Sequence, residues 1–462
     1  MFITICLLAA IYLVGTTFLY RKSNGKIEFC LDNIFLLAFQ AWVGIVYPVS
    51  YLLSTRGMNS EENSASILDI TAGGVFLYYL SAFIILFTVL TCLRRKKRYD
   101  DLRLTISLDK KENDANDSGY FWIATAVFLI GIICDVLYLR AYGGYTNYLQ
   151  YVNDLRSGVA ELYNPFSFLI TFRNCVYFAS FLYFALMFKN HKLVFSRFVL
   201  FIASFVYSLF ILYSNKGRLG FVLYLCTFLV YFLYAKGFLK TINFKMFLKA
   251  IPLLALFVGL LAVSNVVLDR GSNTNFIASF NREISFPFVN FETIVFKSGV
   301  NRYFIDTLLW PVFVLPSRIW DSMFGIRTAS AMMTLYTAGG FKGEEGIYGE
   351  MPIDLVSVSY IQLGIVGVFA FALVWAMIIR WLFRWINKNV RHTKVNMILK
   401  VYVLITVMLQ SILYADPKHI VQRCFALIVF LVVHIFFAKF VAKKDKKKAP
   451  PQNESKEEVP AK

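Results

Sequence analysis

The chain has 462 residues, of which 58% are hydrophobic and 18% aromatic, while only 16% are charged and the net charge is +19. A water-soluble fold of this length cannot bury that much apolar surface, so the composition excludes a globular soluble protein and points to a bilayer as the solvent. The positive excess then calls for no nucleic acid, because basic loops on the cytoplasmic side of a membrane supply it.

Apolar runs near the ~20 residues that span a hydrocarbon core occur at 2–20, 33–54, 69–93, 120–139, 166–188, 196–213, 219–235, 248–267, 356–383, 397–415 and 421–441. They predict an all-α polytopic membrane protein with about 11 transmembrane helices. The first run has no basic region before it and no small-residue cleavage site after it, so it reads as a span and not as a cleaved signal. Alternate connecting segments are basic: Arg21, Lys22 and Lys26; the cluster from Arg94 to Arg98; Lys189, Lys192 and Arg197; Lys236, Lys240, Lys245 and Lys249; Arg384, Lys388, Arg391 and Lys394. The positive-inside rule puts these in the cytoplasm, with the N-terminus outside and the C-terminus inside. Residues 1–267 then hold spans 1–8 and residues 356–441 hold spans 9–11. Residues 442–462 form a basic, Pro-containing tail expected to be disordered in the cytoplasm.

One stretch, 268–355, breaks this rhythm and reads as a single large periplasmic loop. Short amphipathic helical pieces are predicted at 275–280, 286–297, 303–313, 317–324 and 329–338. They are rich in aromatics (Phe286, Phe288, Phe291, Trp310, Trp320) and are expected at headgroup depth, roofing the outer surface. Residues 339–349 (GGFKGEEGIYG) read as a mobile Gly-rich loop. The seven cysteines are scattered and form no CxxC pair, which fits small buried side chains better than disulfides or metal ligands.

The informative charges are cations on the outer half, where topology does not ask for them. Arg173 lies about eight residues inside a span, where it must face a polar cavity or a partner, or snorkel to the headgroups. Lys216 and Arg218 bracket Gly217 where two spans meet. A bend there frees helix-start N–H groups beside Arg218 and makes a sensible anion site, the bland reading being a hairpin turn. Arg282, Arg302 and Arg318 lie in the large loop, and Lys418 and Arg423 open the last span. Arginine binds phosphate through a permanent, bidentate fork, so a lipid carrying phosphate or pyrophosphate is the natural ligand. Candidate acids are few. Glu292 (VNFETIV) sits in an apolar helical stretch whose burial would raise its carboxyl toward a general-base range, the bland reading being a surface carboxylate on an amphipathic loop helix. Asp135 is expected to pair with Arg140 one turn on. There is no paired acidic motif, Walker A, HExxH or GxSxG, so no metal site and no cofactor are expected.

In architecture the chain resembles the O-antigen and oligosaccharide repeat-unit polymerases of the Wzy type, and more loosely the O-antigen ligases. The resemblance covers nearly the whole chain, with local echoes in SNKGRLGF at 214–221, FETIV around Glu292, LPSRIW at 315–320, PIDLVSVSYIQLGIVG at 352–367 and ADPKHIVQR at 415–423. The large loop holds no histidine, a departure that weighs against a ligase. The resemblance implies a glycosyltransferase in the bacterial inner membrane that joins undecaprenyl-pyrophosphate-linked repeats into O-antigen, capsular or exopolysaccharide chains. It also implies membrane lipid and a chain-length regulator protein as partners. Arg218 and Arg423 would act on the pyrophosphate leaving group, with Arg173, Lys216, Arg282, Arg302, Arg318 and Lys418 binding it, and Glu292 would be the base. The alternatives are a ligase-like transferase, a flippase or transporter of lipid-linked oligosaccharide, and a non-catalytic scaffold.

Overall fold

The computed structural model describes residues 1–23, 26–54, 70–94, 117–157, 164–189, 192–215, 218–235, 241–242, 259, 284–298, 301–315, 325–344, 347 and 349–448. Its helices are α1 (Phe2–Thr17), α2 (Leu31–Ser54), α3 (Ala72–Arg94), α4 (Asp117–Arg140), α5 (Tyr145–Ser157), α6 (Asn174–Leu186, led in by a 3-10 turn at Ser167–Thr171) and α7 (Phe195–Ser214). They continue with α8 (Arg218–Ala235), α9 (Phe286–Thr293), α10 (Ile305–Leu308), α11 (Ala329–Ala338), α12 (Leu355–Asn389), α13 (Thr393–Leu413) and α14 (Pro417–Lys448). Among the described residues eight helices are long and apolar enough to cross a membrane, and α1 and α8 are shorter apolar helices. The span expected at 248–267 lies almost wholly outside the described residues. This is an all-α, multi-pass membrane architecture. Its few strands are two- or three-residue pairings in connecting segments: β1 (Lys22–Ser23), β2 (Lys26–Glu28), β3 (Phe188–Lys189), β4 (Lys192–Leu193) and β5 (Thr241–Ile242).

The connections show which helix ends lie together. At one end β2 pairs with both β1 and β5, so the segments after α1 and after α8 share a sheet. There Arg94 at the end of α3 meets Asp32 at the start of α2 at 2.6 Å, and Asp117 opening α4 meets Arg197 at 2.6 Å and His392 at 3.3 Å. Lys394 donates to the Phe188 carbonyl at 2.9 Å. The segments read from sequence as basic are therefore gathered at one end of the bundle. The opposite end holds the start of α3, the start of α12, the end of α7, and the α13–α14 junction.

Within the bundle the helices approach closely where side chains are small. At Gly131 of α4 an added Cβ would meet the Val176 backbone nitrogen at 2.8 Å, so the α4–α6 crossing requires glycine. In α2, Pro48 has no N–H to give to the preceding turn, and the helix widens into a π-turn over Gln40–Val46 just before it.

Four expectations change. Residues 286–293, within the helix expected at 286–297, are not an interfacial roof. Every residue of α9 is buried, with Phe288 and Phe291 flanking the Tyr78 ring of α3 at 4.9 and 5.3 Å. An eight-residue helix with apolar residues all round gains most by entering a core rather than lying at a surface. The predicted helix at 303–313 breaks into α10 and a 3-10 turn at Val312–Val314, because Pro311 and the strained backbone at 303–304 interrupt it. The segment between spans 4 and 5 carries a helix, α5, that hydropathy did not reveal because it is polar. Helix α14 runs on to Lys448, past the expected start of a disordered tail, since Lys and Ala are good helix formers and no proline intervenes before Pro450.

Candidate functional site

At the end opposite the basic loops, the site is built around a broken helix. α12 leaves helical geometry at Leu363 and at Gly364, whose φ of 57° is a conformation that favours glycine. The break frees backbone carbonyls, which irregular backbone at membrane depth tolerates only when protein covers it. Residues 302–304 provide that cover. The N–H of Arg302 donates to the Ile361 carbonyl at 3.0 Å, that of Tyr303 to the Gln362 carbonyl at 2.9 Å, and that of Phe304 to Gln362 Oε1 at 3.0 Å. Tyr303 and Phe304 adopt φ of 49° and 61° to do so, a strain on the order of 1–3 kcal/mol each. Arg302 locks the strap, with Nη2 donating to Asp306 Oδ1 at 2.6 Å and to the Arg327 carbonyl, and Nε donating to Asp306 Oδ2. Burial pushes the Asp306 carboxyl up, and the Arg302 fork opposes only part of that rise.

Next to this strap α14 begins. Asp416 caps it, accepting from the Lys418 N–H at 2.9 Å through Oδ1 and from the Ser330 N–H of α11 at 2.9 Å through Oδ2. This is the Asp-then-Pro start that favours a helix N-terminus. Lys418 Nζ donates to both oxygens of Glu350, at 3.0 and 3.2 Å, and His419 lies 3.8 Å from the same carboxylate. Burial alone would raise Glu350, but Lys418 and His419 hold it below the usual carboxylate range. Asp416 is likewise held low, burial being outweighed by His419, Lys418 and its backbone donors. One turn further into α14, the Arg423 guanidinium lies 5.9 Å over the Tyr414 ring, and its Nη1 is buried with no hydrogen-bond partner among the described residues. Tyr414 in turn meets Phe286 at the start of α9, with ring centroids 6.3 Å apart.

The predicted cations separate by what they touch. Arg423 retains an unbonded donor. Arg302 and Lys418 are committed to Asp306 and Glu350. Arg173 is fully buried, and each of its three nitrogens donates: Nε to Asp135, Nη1 to Asn215 Oδ1 at 2.9 Å and Nη2 to Ser214 Oγ at 2.9 Å. Its guanidinium also lies 5.0 Å from the Tyr138 ring and 5.5 Å from the Tyr148 ring. Asp135 therefore pairs across helices with Arg173 and not with Arg140, because Asp135 faces the bundle while Arg140 is exposed at the helix end. The two regions still adjoin: Asn174, next to Arg173, donates to the Gln422 carbonyl at 2.8 Å. Lys216, Arg282 and Arg318 lie outside the described residues, and so does the side chain of Arg218, whose backbone opens α8.

Glu292 sits at the start of α3. Its Oε1 accepts from the Thr71 N–H at 3.0 Å, and its Oε2 has no hydrogen-bond partner among the described residues. Gly74 makes room for it, since a Cβ there would come within 1.6 Å of Oε2. A carboxylate at this helix start is favoured by the free N–H groups and the helix dipole. Beside it lies a carboxylate to which sequence reading assigned no role. Asp354 caps α12 through the Val356 N–H at 3.2 Å, and Tyr78 donates to its Oδ2 at 2.9 Å. Burial pushes the Asp354 carboxyl up to about 6, against the lowering effect of these donors and of Ser357. The sequence signal for Asp354 was its place just before a long apolar run, an N-cap signature. Gln362 and Tyr78 carried no such signal, since each looks like any polar or aromatic residue inside a span.

No protein-family model, no curated protein and no solved structure matches this chain.

Proposed function

We propose that the chain is a polymerase that joins oligosaccharide repeat units carried on undecaprenyl pyrophosphate, working at the outer face of the bacterial inner membrane. The observation that carries this reading is Arg423: a half-buried arginine over the Tyr414 ring whose Nη1 is buried with no hydrogen-bond partner among the described residues. Leaving a charged donor buried and unsatisfied costs about 1–3 kcal/mol or more, and an anionic oxygen would remove that penalty. In this reading the chain has eleven spans, its N-terminus outside and its C-terminus inside, and residues 268–355 form a periplasmic loop whose helix α9 and strap 302–304 complete the site.

The reaction balances without a metal. The hydroxyl oxygen of one lipid-linked unit bonds to the anomeric carbon of the growing chain. The bond from that carbon to the pyrophosphate oxygen breaks, and undecaprenyl pyrophosphate leaves with the electron pair. Arg423, with Arg218 proposed as the second cation, stabilises the charge that develops on the leaving group. Glu292 is the proposed acceptor of the hydroxyl proton, through the oxygen not used in capping α3.

The test is the chain-length profile of surface polysaccharide in cells lacking the gene and complemented with wild type or Arg423→Gln. The reading expects loss of the long ladder with single repeats still reaching the carrier or core, and no rescue by Arg423→Gln present in the membrane at wild-type level. A full ladder with Arg423→Gln overturns the arginine's role. Lipid-linked repeats trapped inside would indicate a flippase, and free long polymer unattached to the core would indicate a ligase.

A further inference from the structure

Another buried arginine lies at the opposite end of the bundle, and nothing in the proposed polymerase chemistry uses it. Arg380 of α12 is 6% exposed. Its Nη1 donates to the Cys92 carbonyl of α3 at 2.8 Å, while Nε and Nη2 are buried with no hydrogen-bond partner among the described residues. Cys92 lies two residues from the end of α3, where Arg94 meets Asp32, so the guanidinium sits just inside the basic end. Arg380 lines a groove of about 510 Å³ between α3 and α12, whose other walls include Phe87, Thr91, Leu373, Met377 and Trp381. Phe87, Met377 and Trp381 are each roughly half exposed on the outside of the bundle. The groove is thus apolar along its length, faces the lipid, and ends at a cation two of whose nitrogens, Nε and Nη2, meet no acceptor among the described residues. Arg384 lines the same end one turn away.

We infer that this groove holds an anionic phospholipid of the leaflet at the basic end, its phosphate on Arg380 and one acyl chain along Leu373 and Met377. Charge complementarity selects the headgroup. A guanidinium with two unmet donors is matched by two oxygens of one phosphate, and basic pockets between helices at the cytoplasmic surface suit such headgroups. The apolar length of the groove selects a lipid over free phosphate, which could meet the arginine but would leave the walls bare.

The experiment uses the purified full chain and phosphatidylglycerol as the probe, with phosphatidylcholine and inorganic phosphate as controls. Native mass spectrometry reads lipid retention. Bromine-labelled lipids report proximity through quenching of Trp381, isolated as the difference from Trp381→Phe. The wild type is expected to retain phosphatidylglycerol over phosphatidylcholine by about tenfold or more, the size of one charge-assisted bond pair, and brominated phosphatidylglycerol is expected to quench Trp381 preferentially. Arg380→Gln should remove the preference. Leu373→Trp fills the groove but leaves the Arg380 to Cys92 bond intact, and it should lower retention as well. Equal retention of both lipids by the wild type, no quenching at Trp381, or displacement by inorganic phosphate at matched concentration would each overturn the inference. Quenching is read on the wild type, so a variant that fails to fold does not shelter the proposal.

Discussion

Replacing Arg173 by alanine separates two roles that the sequence left open, a ligand-binding arginine and a structural one. Its three nitrogens bond to Asp135, Asn215 and Ser214, and both it and Asp135 are fully buried. Without the arginine, the Asp135 carboxylate would stay in the bundle with the Tyr207 hydroxyl at 2.6 Å as its remaining donor. Breaking a buried ion pair from one side costs about 3–5 kcal/mol, because the surviving charge is uncompensated. At roughly 2 °C per kcal/mol for a large domain, the apparent melting temperature in detergent should fall by about 6–10 °C. Asp135→Asn should fall by a similar amount, since it strands the guanidinium. The double variant Asp135→Asn with Arg173→Gln removes both charges and keeps hydrogen-bonding side chains, so it should recover most of the loss. The refuting result is an Arg173→Ala protein that melts within about 2 °C of wild type yet makes no polymer. That outcome would mean the guanidinium serves a ligand and Asp135 merely tolerates it.

Further outcomes are expected around the second carboxylate cluster. Glu292→Gln keeps an oxygen to accept from Thr71, so it should preserve the fold and the membrane level while lowering polymer yield at least tenfold, the scale of a lost general base; normal yield and chain length would dismiss Glu292 as the base. Gly74→Ala drives a methyl into the same carboxylate, which the 1.6 Å approach makes unavoidable, and should lower stability by about 1–3 kcal/mol through overpacking; an unchanged melt would show that Glu292 does not lie there. Asp354 titrates at about 6 in the fold against an ordinary value of 3.8. Folding therefore favours its protonated form, and that stability is present at low pH and fades as pH rises from about 4 to about 6. Asp354→Asn mimics the protonated state, so it should melt higher than wild type at pH 7.5 and lose that advantage near pH 4; a constant offset across this range would contradict the assigned titration.

How far the sequence reaches is visible in particular residues. The bilayer as solvent, the helical class and the approximate position of eight spans follow from apolar run length, because a membrane helix must satisfy its own backbone and needs ~20 residues to cross. The grouping of the basic segments was legible for the same reason, as charge cannot enter the hydrocarbon. The cations away from the basic segments were legible as unusual, since they depart from that grouping. Their division was not. Arg173, Arg302 and Arg423 look alike in sequence, and only packing decides that Asp135 pairs with the first, Asp306 with the second, and that no acceptor among the described residues reaches Nη1 of the third. The same holds for α9, whose even apolar pattern fits an interface or a core equally well until Tyr78 is found between Phe288 and Phe291. It holds too for the break in α12, which depends on residues 302–304 arriving from far along the chain to bond two carbonyls. Hydropathy is a property of one segment and the sequence alone determines it. The pairing of a buried charge belongs to two segments at once, and the tertiary structure decides it.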